Sequence, residues 1–148
     1  MSGGGGKILV VEDDDVQRES LVELLRLWGY QARAASNGWQ ALQEIRSSAF
    51  EVVLADADMP GMSGIALLQE LRRNSYFVSC IMISGNDDAR EESQAARLGV
   101  RSILRKPIYP DQLKAEMRKC VDARRALGHG QDAALVERER TGKWPVTN

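Results

Sequence analysis

A chain of 148 residues, 43% hydrophobic and 28% charged, holds the material for one ordinary globular domain with a single core. Its 20 Lys and Arg against 21 Asp and Glu leave a formal net charge of -1, which excludes the basic excess that draws a protein onto nucleic acid or anionic lipid. No run approaches the ~20 apolar residues of a membrane span, and the start lacks the charged region and apolar stretch of a signal peptide, so a soluble chain that is not exported is expected.

In chain order, the glycine-rich residues 1–6 are expected to be a disordered start and carry no weight in the fold. Ile8-Leu9-Val10-Val11 is a short apolar run rich in β-branched residues, as in a strand buried on both faces of a parallel sheet. Leu21, Leu24, Leu25 and Trp28 recur at helical spacing, with Gly29 where a helix stop belongs. Gln31–Ala35 is a weaker strand suited to a sheet edge, and Ala41, Leu42 and Ile45 mark a shorter helix. Val52-Val53-Leu54-Ala55 and Val78–Ile83 repeat the buried-strand pattern, separated by a helical stripe of Gly64, Leu67, Leu68 and Leu71. Gly99 is a second helix stop, Ser102-Ile103-Leu104 a fifth strand, and Pro110 opens a last helix with Leu113, Met117, Cys120 and Val121 on one stripe.

Strand and helix thus alternate five times, which calls for a parallel sheet with right-handed crossovers and helices on both faces, a doubly wound α/β fold. The rhythm ends near residue 122. Gly128-His129-Gly130 breaks the helix, Ala133–Arg140 offers one short polar helix, and residues 123–148 read as an extension, linker or tail, being shorter than the roughly 50 residues of a stable domain. Cys80 and Cys120 lie on apolar runs and read as buried small hydrophobes, not a disulfide framework, which points to the reducing cytosol. Trp28 is expected in the core and Trp39 and Trp144 partly exposed; the lone His129 is given no role.

In a doubly wound sheet, ligands bind beyond the carboxyl ends of the strands, so the residues there are the ones to inspect. After the first strand come Glu12, Asp13, Asp14 and Asp15; after the third, Asp56; after the fourth, Ser84; after the fifth, Arg105-Lys106-Pro107. Asp14 or Asp15 also suits a helix N-cap. Converging carboxylates repel one another unless a cation binds or protons are taken up, and oxygen ligands select a hard ion. Mg2+, which needs few direct carboxylates and shares its shell with phosphate, is the candidate, and with Lys106 it points to phosphoryl chemistry.

The runs ILVVEDD (Ile8–Asp14), DADMPGMSG (Asp56–Gly64), Ser84-Gly85 and Lys106-Pro107 resemble the response-regulator receiver family of two-component signalling, over roughly residues 7–122. The resemblance implies a five-stranded flavodoxin-like fold of order 2-1-3-4-5, like the chemotaxis-Y receiver, with five helices on both faces. It implies Asp56 as the phosphoacceptor and Glu12, Asp13, Asp56 and the backbone carbonyl of Asp58 as Mg2+ ligands. Lys106 would pair with the phosphoryl oxygens, and Ser84 would turn inward after transfer. A cis peptide at Lys106-Pro107 is implied too. Partners would be a sensor histidine kinase or histidine phosphotransfer protein, with a downstream protein or a second copy engaging the fourth helix, fifth strand and fifth helix. The role is a cytoplasmic switch, not a turnover enzyme. Ile103 stands where the family usually has an aromatic residue, and Asp58 and Asn86 hold positions that tune acyl phosphate lifetime. Two alternatives remain: a haloacid-dehalogenase-like phosphohydrolase using Asp56 and Asp58, and a receiver fragment of a longer regulator or hybrid kinase.

Overall fold

The computed structural model describes residues 6–126. Five strands alternate with five helices: β1 (Lys7–Val11), α1 (Asp15–Leu27), β2 (Gln31–Ala35), α2 (Gly38–Ser47), β3 (Val52–Asp56), α3 (Gly64–Arg73), β4 (Ser79–Ser84), α4 (Ala89–Arg97), β5 (Ser102–Arg105) and α5 (Pro110–Ala126). The strands form one sheet in the order β2-β1-β3-β4-β5, every neighbouring pair parallel, as the doubly wound reading and the resemblance both imply. The start of α5 at Pro110 matches the sequence, and the helix continues through the 122/123 boundary to Ala126, the last described residue. Residues 1–5 and 127–148, with the first five residues of the glycine-rich start, His129, Trp144 and the polar helix expected at 133–140, lie outside the described residues. Gly6, expected to be part of a disordered start, is instead buried, because its carbonyl accepts from the Gln31 N–H at 2.9 Å and so extends the β1–β2 pairing.

The strands' two-residue period sorts the core into two layers. Ile8 and Val10, Val52 and Leu54, and Ile81 and Ile83 meet Leu21, Val22 and Leu25 of α1 and Leu113, Met117, Cys120 and Val121 of α5. Their neighbours Leu9, Val11, Val53 and Ala55 point the other way, onto Leu42 and Ile45 of α2 and Leu67 and Leu71 of α3. Cys80 and Met82 share that second face with Ile65, Leu68 and Ala95. Each fully buried Leu or Ile contributes roughly 1.5–3 kcal/mol of transfer free energy, so these stripes decide the layering. β2, with only Ala32 and Ala35 buried, is the edge strand its sequence suggested.

Local signals end the helices where expected. Gly29 (φ 96) and Gly99 (φ 84) occupy the left-handed region that only glycine enters freely, and the N–H groups of Gly29 and Tyr30 close onto Arg26 and Leu25 carbonyls. α4 differs from its siblings: of its residues only Ala95 is buried, so no apolar stripe announces it. Arg72, buried on α3, donates from Nε to the Leu98 carbonyl (2.9 Å) and from Nη1 to those of Tyr76 and Val78 (3.0 Å each), tying α3 to the entrance of β4 and the end of α4.

Candidate functional site

Parallel register delivers the acids and the lysine to one end of the sheet. Val11 pairs with Ala55, and Asp56 with Ile83. The ladder runs one residue further through Ala57 N–H to the Ile83 carbonyl (2.7 Å) and Lys106 N–H to the Ser84 carbonyl (2.9 Å). Glu12, Asp56, Ser84 and Lys106 therefore leave β1, β3, β4 and β5 toward the same crevice. Glu12, Asp56 and Ser84 are all at most 2% exposed, so their chemistry is shielded from bulk water.

Asp56 is held by both carboxylate oxygens. Oδ1 accepts from the Asp58 N–H at 2.7 Å and Oδ2 from Lys106 Nζ at 2.8 Å. One ligand oxygen from each of Glu12, Asp13 and Asp56 lies within 4.8 Å of the others. Glu12 Oε2 accepts from the Asp14 N–H (3.1 Å), whereas its buried Oε1 has no hydrogen-bond partner. Burial first, then the adjacent Asp56 carboxylate, push the Glu12 carboxyl up from 4.5 to about 8, against the downward pull of the Asp14 N–H. For Lys106 burial pulls downward, but the hydrogen bond and charge of Asp56, with the fields of Glu12 and Asp58, outweigh it and raise its pKa.

The loops are fixed by their own chemistry. Asp14 is the N-cap of α1, its side chain accepting from Gln17 N–H at 2.9 Å, which leaves Asp13 and Glu12 to the crevice. Gly64 sits so close under Asp56 that a Cβ there would fall 2.6 Å from the Asp56 carbonyl oxygen and 2.9 Å from Ala57 Cα, so a side chain would displace the backbone at the end of β3. The Asp58 side chain turns away to take the Gly85 N–H (3.1 Å) and Asn86 Nδ2 (3.2 Å), joining the loops after β3 and β4. Ser84 Oγ faces Asn86 and Glu91. Lys106-Pro107 is cis.

A family model described as the response regulator receiver domain matches residues 8–118. The chain belongs to this family. It is 34% identical over 114 residues to the transcriptional regulatory protein ZraR of Escherichia coli K12, covering 77% of this chain and 26% of that protein. It is 35% identical over 107 residues to the sensor histidine kinase RcsC of Salmonella typhi, covering 72% of this chain and 11% of that one. Among solved structures, the response regulator TrrA of Thermotoga maritima, determined in complex with Mg2+-BeF, superposes with a TM-score of 0.70 at 30% identity, covering 78% of this chain and 98% of that one. The chain is thus a receiver domain of two-component systems that spans about a quarter of ZraR's length and about a tenth of RcsC's.

Within this receiver, the structure places Glu12, Asp13, Asp56 and Lys106 together and Ser84 beside them at the end of β4. Family membership sets aside the haloacid-dehalogenase-like reading. Ile103, at the position usually aromatic, is half-buried against the Cys80–Met82 layer with Leu98 and Val100. Two participants escape a sequence reading. Arg18 Nη1 donates to the Glu12 carbonyl at 2.8 Å and bridges α1 to the acidic loop, and Glu91 meets Ser84. Both are charged residues on helix surfaces, and nothing in their local sequence separates them from solvated neighbours.

Proposed function

We propose that this receiver is a phosphorylation-dependent switch in which Asp56 accepts a phosphoryl group from a phosphohistidine of a sensor histidine kinase or histidine phosphotransfer protein. The observation that carries the reading is the buried Asp56 carboxylate, bound at Oδ2 by Lys106, bound at Oδ1 by the Asp58 N–H, and flanked by Glu12 and Asp13. An Asp56 oxygen attacks phosphorus, the P–N bond breaks, and its electron pair returns to the departing imidazole. The Lys106 ammonium, already 2.8 Å from the nucleophile, pairs with the phosphoryl oxygens as their charge spreads. The Asp58 N–H keeps the carboxylate pointed outward, and the low exposure of the site limits hydrolysis.

The donor set fits a hard divalent cation. Glu12 Oε1 is a buried acceptor without a partner, and Lys106 alone supplies less positive charge than three clustered carboxylates require. Glu12, Asp13, Asp56 and the backbone carbonyl of Asp58 would hold Mg2+, Glu12 through water. The ion would neutralise charge on the transferring group.

Ser84 would follow the phosphoryl group by hydrogen bonding to it, carrying its loop and the face formed by α4, β5 and α5 toward a new partner or a second copy of the chain. Among the described residues no helix is long and apolar enough to cross a membrane. Acetyl phosphate with Mg2+ should add one phosphoryl group to the wild type and none to Asp56→Asn, read by intact mass. A phosphorylated Asp56→Asn, or an unreactive wild type also unperturbed by beryllofluoride, would sink this assignment.

A further inference from the structure

Ser84 has one hydroxyl hydrogen to give, and it is already engaged. Its Oγ accepts from the Asn86 N–H at 3.1 Å, leaving the hydrogen for either Glu91 Oε1 at 3.1 Å or the Asn86 carbonyl at 3.2 Å. A carboxylate is the stronger acceptor, and at 1% exposure of Ser84 no bulk water competes. The hydrogen therefore belongs to Glu91, in the first turn of α4.

We infer that Glu91 is a positioning residue: it holds the Ser84 hydroxyl toward α4, so that the phosphoryl group on Asp56 must win that hydrogen from the Glu91 carboxylate. The inference rests on the phosphoacceptor reading of Asp56 and adds what sets its threshold. α4 is lightly fastened. Ala95 is its one buried residue, and the Arg105 guanidinium reaches Asp87 (3.1 Å) and Glu92 (2.6 Å) from outside. The Ser84–Glu91 bond consequently fastens the first turn of α4 to the end of β4, and its loss leaves a half-buried carboxylate without that donor. Coupling of this kind is reciprocal: whatever a phosphoryl group does to the Ser84–Glu91 bond, the bond does to the affinity for that group.

The test titrates the full chain, with Mg2+ present, against beryllofluoride, following backbone amide shifts of Ser84 and Ala95. Glu91→Ala should lower the half-saturating concentration roughly tenfold, equivalent to ~1.4 kcal/mol, and Glu91→Gln by less because a neutral amide oxygen still accepts. Glu92→Gln, which removes the same charge from the same turn without touching Ser84, should shift it less than about twofold. In a Ser84→Ala background the Glu91→Ala effect should vanish. Half-saturation unchanged in both Glu91 variants, or shifted equally with and without the Ser84 hydroxyl, overturns the inference. A wild type that never responds to beryllofluoride overturns the phosphoacceptor reading as well, whereas a responsive wild type with unshifted Glu91 variants overturns this one alone.

Discussion

Glu12 shows how one residue's surroundings rewrite its chemistry. An isolated Glu-Asp-Asp run is a solvated acidic loop, yet here the Glu12 carboxyl is 2% exposed and titrates at about 8. Between 4.5 and about 8 the native state holds a proton that the unfolded chain has released, so stability falls as pH rises through that window. A cation must displace the same proton, so its binding strengthens over the same range. Thermal unfolding in chelator is expected to give a lower Tm at pH 8 than at pH 6, and Mg2+ should raise Tm more at pH 8. Equal Mg2+ stabilisation at both values would show that Glu12 carries no proton to displace. Asp56 and Lys106 were legible because motif and strand end coincide in the sequence. The partnership of Glu91 with Ser84 was not, because it depends on where α4 is set down beside β4.

At the scale of elements, the legible ones are those whose own burial is periodic. α1, α3 and α5 each present a buried stripe, and β1, β3 and β4 read as continuous apolar runs because both of their faces are covered. α4 has no such stripe and follows from the alternation and from Gly99, since its hold on the domain is mostly polar. Caps carry a further share. Asp14 accepts the Gln17 N–H while its own N–H orients Glu12, so the start of α1 and the acidic loop are one device. Asp14→Ala is expected to cost about 1 kcal/mol of stability, measured by urea denaturation, with acetyl phosphate reactivity retained because the backbone donor to Glu12 survives. Loss of reactivity without loss of stability would instead place the Asp14 carboxylate in the chemistry.

For the molecule as a whole, the two layers on the sheet bury the middle of β4 almost completely, Cys80 being 1% exposed and Ile81 and Met82 0%. Burial pushes the Cys80 thiol up to about 12, Arg72 offsetting only part of this, so at pH 8 it is neither ionised nor reachable. Alkylation of Cys80 by iodoacetamide, located by peptide mass, should be negligible in the folded protein and should follow the denaturant unfolding curve. Labelling well below the midpoint would reveal local opening of the layer between β4 and α3.

The sequence by itself determined the alternation of strands and helices, the parallel doubly wound class, the strand-end positions of Glu12, Asp56, Ser84 and Lys106, and the helix stops at Gly29 and Gly99. Those properties rest on short-range causes: side-chain periodicity, backbone freedom at glycine, and the kinds of residue that follow an apolar run. The tertiary structure decided which acids share one crevice, that Asp58 joins the β4 loop, that Glu12 is driven toward its protonated form, and that the Ser84 hydroxyl faces Glu91. These are long-range outcomes of register, burial and helix placement, fixed by packing between segments far apart along the chain.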